Sequence, residues 1–266
     1  MSDGALLEAM ISAALAAGRA AFEVYQGRFE VQRKPDNSPV TAADHAAERV
    51  ILEHLSAHAP GLAVIAEEQV AVGRVPRLGS EFVLVDPLDG TREFVQRNGE
   101  FTVNIALVRG VAPILGVIYA PAVGALFAGD VMAKTAWQSH QPTDAPLSSE
   151  RGAIRIRRAP EKGITVVASR SHRTPETDAY LERYEIAQVL SIGSSLKFCK
   201  VAAGEADFYP RLGTTMEWDT AAGQAILVAA GGQVVTADGV PLQYGKPEFR
   251  NPWFFATGTV DVKQPG

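Results

Sequence analysis

Apolar residues near the start of the chain recur at helical spacing. Leu6, Leu7, Met10, Ile11, Ala14, Leu15, Ala21, Phe22 and Tyr25 predict a long amphipathic opening helix. The polar loop Arg33-Lys34-Pro35-Asp36-Asn37-Ser38-Pro39 interrupts the pattern and leads into Thr41-Ala42-Ala43-Asp44. Ala47, Val50, Ile51 and Leu55 then mark one face of a second helix, which stops before Pro60-Gly61. Beyond it the period changes. Phe82-Val83-Leu84-Val85 is a short, continuous apolar run and reads as a buried strand. Pro87 has no N–H to give to a ladder and is expected to end that strand. Residues 102–108, 114–119, 125–128 and 133–138 follow as strands, separated by Gly110, Pro121, Gly124 and Gly129, in the manner of an antiparallel meander.

Between about residues 139 and 160 the chain turns polar, with prolines and the basic cluster Arg155, Arg157, Arg158. This is the expected boundary between an N-terminal α+β half, 1–140, and a C-terminal α/β half, 141–266. In the second half, strands at 165–168, 189–192, 207–209, 233–236 and 253–256 interleave with helices at 195–203 and 220–230. Thr174-Pro175 suits an N-cap and first helical position.

Composition narrows the class. A chain of 266 residues, 47% hydrophobic and 21% charged, can bury a full core and matches an ordinary globular protein. A formal charge of -5 argues against a nucleic-acid scaffold. Cys199 is the single cysteine, which excludes an internal disulfide or a cysteine-built zinc site and suits a reducing cytoplasm. Met1-Ser2-Asp3-Gly4 lacks the basic region of a signal peptide, and Glu8 and Gly18 interrupt the apolar residues that follow. No apolar run is expected to reach the length of a membrane span, so the expected location is cytoplasmic, with at most peripheral contact at the cytoplasmic face of the inner membrane.

The chemistry gathers at Val85-Asp86-Pro87-Leu88-Asp89-Gly90-Thr91, at the end of the apolar run. Two carboxylates so close repel each other unless a hard divalent cation lies between them. Glu67 and Glu68 follow another apolar stretch, while Asp44 and Asp219 each open a helix. Singly, these are well explained as a solvated turn or as helix caps. Together, Glu67, Asp86, Asp89 and Asp219 with the Leu88 carbonyl would supply two or three adjacent Mg²⁺ positions, with Gly90 and Thr91 offering N–H groups to a phosphate.

In this set of motifs the chain resembles the inositol monophosphatase superfamily of lithium-sensitive, Mg²⁺-dependent phosphatases. The resemblance runs from Asp36–Asp44 through Glu67-Glu68 and Asp86–Thr91 to Trp218-Asp219, nearly the whole length. Arg92-Glu93-Phe94, residues 98–105, Ser169-Arg170-Ser171-His172, Gly193–Cys199 and Trp218–Gly223 look most like the CysQ-type 3'(2'),5'-bisphosphate nucleotidases within it. The resemblance implies a layered α/β/α/β/α sandwich of the inositol monophosphatase and fructose-bisphosphatase type, with two sub-domains, in a monomer or homodimer. It also implies hydrolysis of adenosine 3',5'-bisphosphate to AMP by a metal-activated water. On that reading Glu67, Asp86, Leu88, Asp89 and Asp219 hold metal, Glu67 being the ligand and Glu68 meeting solvent or a third ion. Asp44 and Thr91 orient or deprotonate the water. One phosphate sits among the metals, against Gly90 and Thr91. The other meets Arg211, Lys197 and Ser194, with His172 lining the nucleotide site. Arg211 stands where the inositol branch carries an acidic residue for sugar hydroxyls, and a guanidinium suits a second phosphate better. An inositol or sugar (bis)phosphatase, phosphoadenosine phosphosulfate as substrate, or a non-catalytic interaction protein on the same fold are the competing readings.

Overall fold

The computed structural model describes residues 1–34, 37–171 and 174–263. The opening helix, α1 (Asp3–Gln26), is capped by the Ser2 hydroxyl, which accepts the Ala5 N–H at 3.3 Å. A short hairpin of β1 (Val31–Arg33) and β2 (Pro39–Thr41) leads into α2 (Ala42–His58).

Seven strands then form one sheet. They are β3 (Ala63–Ala66), β4 (Glu81–Asp89), β5 (Thr102–Arg109), β6 (Ala112–Ala120), β7 (Ala125–Asp130), β8 (Thr135–His140) and β9 (Gly152–Ala153), hydrogen-bonded in that order. β3 runs parallel to β4 and every later pair is antiparallel, the expected meander. Two short helices interrupt the strand series, α3 (Glu67–Ala71) after β3 and α4 (Thr91–Val95) after β4. Period-two alternation sorts the two faces of β4: Val83 and Val85 pack with Ile51 and Leu55 of α2, while Phe82 and Leu84 point into the opposite core.

The second sheet has the order β11-β10-β12-β14-β13, built from β10 (Ile164–Ser169), β11 (Ile186–Ile192), β12 (Phe208–Arg211), β13 (Gln233–Thr236) and β14 (Phe254–Thr257). Helices α6 (Leu196–Ala202) and α7 (Glu217–Ala229) lie between the sheets, where Phe198, Ala222 and Ile226 meet Leu84 and Ile118 on one side and Tyr209 and Phe254 on the other. Helix α5 (Pro175–Leu181), capped by Thr174 as expected, covers the outer face through Tyr180, Leu181 and Phe255. The layers are therefore α1/α2, sheet, α6/α7, sheet, α5, which is the expected α/β/α/β/α sandwich. Between the halves, residues 141–153 stay with the first sheet as far as β9 before the chain crosses to β10.

Helix α7 approaches the first sheet unusually closely. A Cβ at Gly116 would lie 2.4 Å from the Ala222 carbonyl oxygen, and one at Gly129 would lie 2.7 Å from Ile226 Cα. Both glycines are thus notches into which the helix backbone settles.

Two expectations need correction. β4 does not end at Pro87 but runs on to Asp89, because the pairing jumps from Asp86–Asn104 to Asp89–Thr102. Pro87 sits in that irregularity, where the ladder asks no N–H of it. Helix α1 is also long and apolar enough to cross a membrane, contrary to the expected absence of such a run. More than half of that window is buried, with Leu6, Met10 and Ala14 inside the core shared with the first sheet, which is how a core helix passes the same test.

Candidate active site

A cleft of about 380 Å³ opens where the end of β4 and the start of α4 face α6, β12 and the start of α7. Glu67, Asp86, Leu88, Asp89, Gly90, Thr91, Ser194, Lys197, Arg211 and Asp219 all line it. Expected site residues separated by up to 152 positions (219 minus 67) thus converge on one cavity. Asp44 stands behind Thr91. His172, like Asp36 of the loop motif, lies outside the described residues.

Carboxylates cluster in the cleft. The bulge after Asp86 lets its Oδ1 accept the Leu88 N–H at 3.0 Å, turning the chain so that Asp89 also lines the cleft. Asp89 Oδ2 accepts from the Asn104 Nδ2 at 3.5 Å. Asp219 is not an N-cap. It occupies the third position of α7, where its Oδ2 accepts the Met216 N–H at 2.8 Å. Burial pushes Asp86 well above the usual carboxylate range, helped by repulsion from Glu67, Asp89 and Asp219. Asp219 is raised likewise, by burial and then by Asp89 and Glu67. Burial lifts Asp89 to about 6 even though Lys197 opposes the shift. Carboxylates held this close oppose one another until a cation is shared between them. Among the described residues no three acidic, histidine or cysteine side chains form a ready-made cage. An ion here would complete its shell with the Leu88 carbonyl, water and substrate oxygens, as Mg²⁺ ordinarily does. The donor set, all hard oxygen, fits that ion.

Glu67 and Glu68 separate cleanly. Glu67 lines the cleft, whereas Glu68 is buried beside it. Instead of meeting solvent or a third ion, Glu68 meets Lys34, whose Nζ lies 2.5 Å from Glu68 Oε1 and 2.6 Å from Glu67 Oε1. Burial raises Glu68 to about 7, with Glu67 adding to the effect. Burial alone would lower Lys34, but the two carboxylates hold it above the usual lysine range. The buried Glu48 accepts the Glu68 N–H at 2.8 Å and the Gln69 amide at 2.9 Å, holding the first turn of α3.

Asp44 combines a bland role with a pointed one. Its Oδ2 accepts the Thr41 N–H at 2.7 Å and the Thr41 hydroxyl at 2.8 Å, closing a capping box on α2. Its Oδ1 is 3.3 Å from the Thr91 hydroxyl, which is also 3.4 Å from the Leu88 carbonyl. Burial raises the Asp44 carboxyl against the pull of the Thr41 donors.

The same cleft is also lined by cationic side chains. Lys197, in the first turn of α6, donates to the Ser194 and Ile192 carbonyls and lies over the Tyr209 ring. Burial lowers its ammonium to about 8, with Asp89 acting the other way. Ser194 holds a left-handed backbone, φ 49°, which a non-glycine residue adopts at some cost. Arg211 donates to the Thr214 carbonyl at 3.1 Å, while its buried Nε–H has no acceptor among the described residues. Such a donor is poised for an anion entering the cleft.

Arg92, Glu93, Tyr209 and Arg250 also line the cleft and were not singled out as site residues in the sequence. Arg92 and Glu93 belong to a noted motif, but nothing local distinguished their chemistry. Glu93 proves buried, accepting the Ser171 hydroxyl at 2.6 Å across the two halves.

The inositol monophosphatase family model matches residues 4–257. The chain belongs to the inositol monophosphatase family. Within this phosphatase family, whose members generally depend on metal, it is 46% identical to the 3'(2'),5'-bisphosphate nucleotidase CysQ of Salmonella typhimurium, over 95% of this chain and 99% of that protein. The corresponding protein of Escherichia coli K12 is 44% identical, over 94% and 98%. The crystal structure of CysQ from Bacteroides thetaiotaomicron superposes with a TM-score of 0.80 at 37% identity, covering 96% of this chain and 97% of that one. An inositol monophosphatase from Anabaena superposes at 0.74 with 28% identity, over 95% and 90%.

Proposed function

We propose that this chain is a Mg²⁺-dependent 3'(2'),5'-bisphosphate nucleotidase that hydrolyses adenosine 3',5'-bisphosphate to AMP and phosphate. The observation that carries this reading is one cleft that holds both kinds of charge, the acids Glu67, Asp86, Asp89 and Asp219 together with the bases Lys197 and Arg211. A substrate with two phosphates uses both sets of charges, whereas a monophosphate leaves the bases unpaired. The similarity to CysQ nucleotidases over nearly the full length supports the same assignment.

Glu67, Asp86, Asp89, Asp219 and the Leu88 carbonyl would hold two or three Mg²⁺ ions. When bound, those ions neutralise the carboxylates and lower the pKa of water. The Gly90 and Thr91 N–H groups face the scissile phosphate. Thr91, with its hydroxyl directed to Asp44, orients the attacking water and passes its proton toward that carboxylate. Lys197, Arg211 and Ser194 bind the second phosphate and supply specificity rather than chemistry. The buried Cys199 agrees with work in a reducing cytoplasm.

The deciding experiment is phosphate release from adenosine 3',5'-bisphosphate, phosphoadenosine phosphosulfate, inositol 1-phosphate and AMP, with Mg²⁺ and with added Li⁺. The expected result is the highest kcat/KM on the bisphosphate and inhibition by Li⁺. A higher kcat/KM on inositol 1-phosphate would overturn the substrate assignment.

A further inference from the structure

Beside Asp89 lies a buried chain of hydrogen bonds that no metal ligand explains, one member of which, Ser195, also lines the cleft. Thr102, Asn104 and Ser195 are all buried, the first two on β5 and the third at the start of α6. Ser195 Oγ lies 2.7 Å from Asn104 Oδ1 and 2.8 Å from Thr102 Oγ1. The direction of each bond follows from proton count. A carbonyl oxygen cannot donate, so Ser195 gives its one proton to Asn104, and Thr102 gives its own to Ser195. The Asn104 amide is then oriented with Nδ2 toward Asp89 Oδ2, 3.5 Å away. The flipped amide would set its oxygen against a carboxylate and its NH₂ against Ser195, which would have to reverse its proton. Ser195 therefore acts on Asp89 through the Asn104 amide.

We propose that Ser195 and Asn104 are positioning residues for Asp89, the Ser195 hydroxyl fixing the polarity of the Asn104 amide so that Asp89 is presented to the metals in one orientation. The inference rests on the metal role proposed for Asp89. Groups behind a ligand commonly set metal affinity by tenfold to a hundredfold, because they decide which ligand geometry is ready before the ion arrives. Lys197 lies two residues beyond Ser195, so the start of α6 serves both the acids and the bases of the cleft.

The test is Mn²⁺ binding to the metal-stripped full-length protein, followed by calorimetry. Wild type should bind and Asp89→Asn should bind far more weakly; equal binding by these two would overturn the metal role itself. Given that difference, Ser195→Ala should raise the dissociation constant roughly tenfold. Ser195→Thr, which keeps the hydroxyl, should bind within about twofold of wild type. Asn104→Leu should be at least as weak as Ser195→Ala, and adding Ser195→Ala to it should change little, since the serine hydroxyl acts through the amide. Wild-type affinity in Ser195→Ala, or fully additive losses in the double variant, would overturn the relay. Should Ser195→Ala fail to fold, the comparison of Asn104→Leu with wild type decides, because unchanged affinity there also removes the relay.

Discussion

The Thr91 hydroxyl stands 3.3 Å from Asp44 Oδ1, although the two residues belong to different helices, 47 positions apart in the chain. The other oxygen of the same carboxylate caps α2. One side chain thus fastens a helix and addresses the cleft. Asp44→Asn keeps an oxygen for the cap but weakens the acceptor for a proton. Turnover should fall by about 10²–10⁴, the usual worth of a positioned acid–base group. Melting temperature should drop only slightly. Thr91→Ala should cost a similar factor, and the double variant little more than either alone, because the two act as a unit. Steady-state kinetics of the three variants check this; multiplicative losses would separate the pair.

Asp89→Asn should nearly abolish turnover without unfolding the protein. The metal-free variant should melt at or above the wild-type temperature, since one member of a mutually repelling, buried set has been neutralised. The rise in melting temperature on adding Mg²⁺ should shrink at the same time. Thermal melts with EDTA and with Mg²⁺ measure both. Wild-type turnover in Asp89→Asn would sink the metal assignment.

Arg211, proposed to meet the second phosphate, offers a test of substrate choice apart from chemistry. Losing a charge-assisted hydrogen bond costs about 1.5–3 kcal/mol, or roughly ten- to a hundredfold in kcat/KM. Arg211→Ala should show that loss on adenosine 3',5'-bisphosphate and almost none on a sugar monophosphate, and Arg211→Glu should widen the gap. Equal losses on the two substrates would mean that Arg211 does not touch the second phosphate.

Stability of the metal-free protein should fall as pH rises from about 4 to above 6. The sign follows from Asp86, Asp89 and Asp219, all raised in the folded state, Asp89 to about 6. Between the unfolded and folded pKa values the folded chain binds more protons, so raising pH removes a stabilising protonation. Lys197, lowered to about 8, is still charged in both states through this window. On the proposed metal role, Mg²⁺ would take the place of the lost protons. Its stabilising effect should therefore be small at pH 5 and large at pH 7.5, as scanning calorimetry at the two values would show.

Much of this was legible in the chain itself. β4 through β7 announce themselves because aliphatic runs alternate with glycine and proline, and α1 because its apolar positions keep a helical period. The carboxylates were legible because short polar motifs follow those runs. Other features were not, for reasons of topology. The continuation of β4 past Pro87 depends on how β5 pairs with it, which Pro87 cannot signal locally. Asp44 and Asp219 each sit at the third helical position, which differs from a cap by three residues and is hard to place from sequence. Lys34 meets Glu67 across 33 positions, and Ser195 meets Asn104 across 91. The first needs the β1–β2 hairpin loop folded against the end of β3 and the second needs the two sheets laid together, and neither a lysine in a polar loop nor a serine before a helix advertises them.

The notches at Gly116 and Gly129 bear on more than packing. Asp219 rides on α7, whereas Asp86 and Asp89 ride on β4, in the sheet against which α7 is seated. How far apart those acids stand is therefore gauged by two missing methyl groups on neighbouring strands, residues that never see the substrate. A single methyl added at either place would lift the helix as a lever and carry the last carboxylate away from its fellows. The active site has a focal length, and these two glycines are where it is ground.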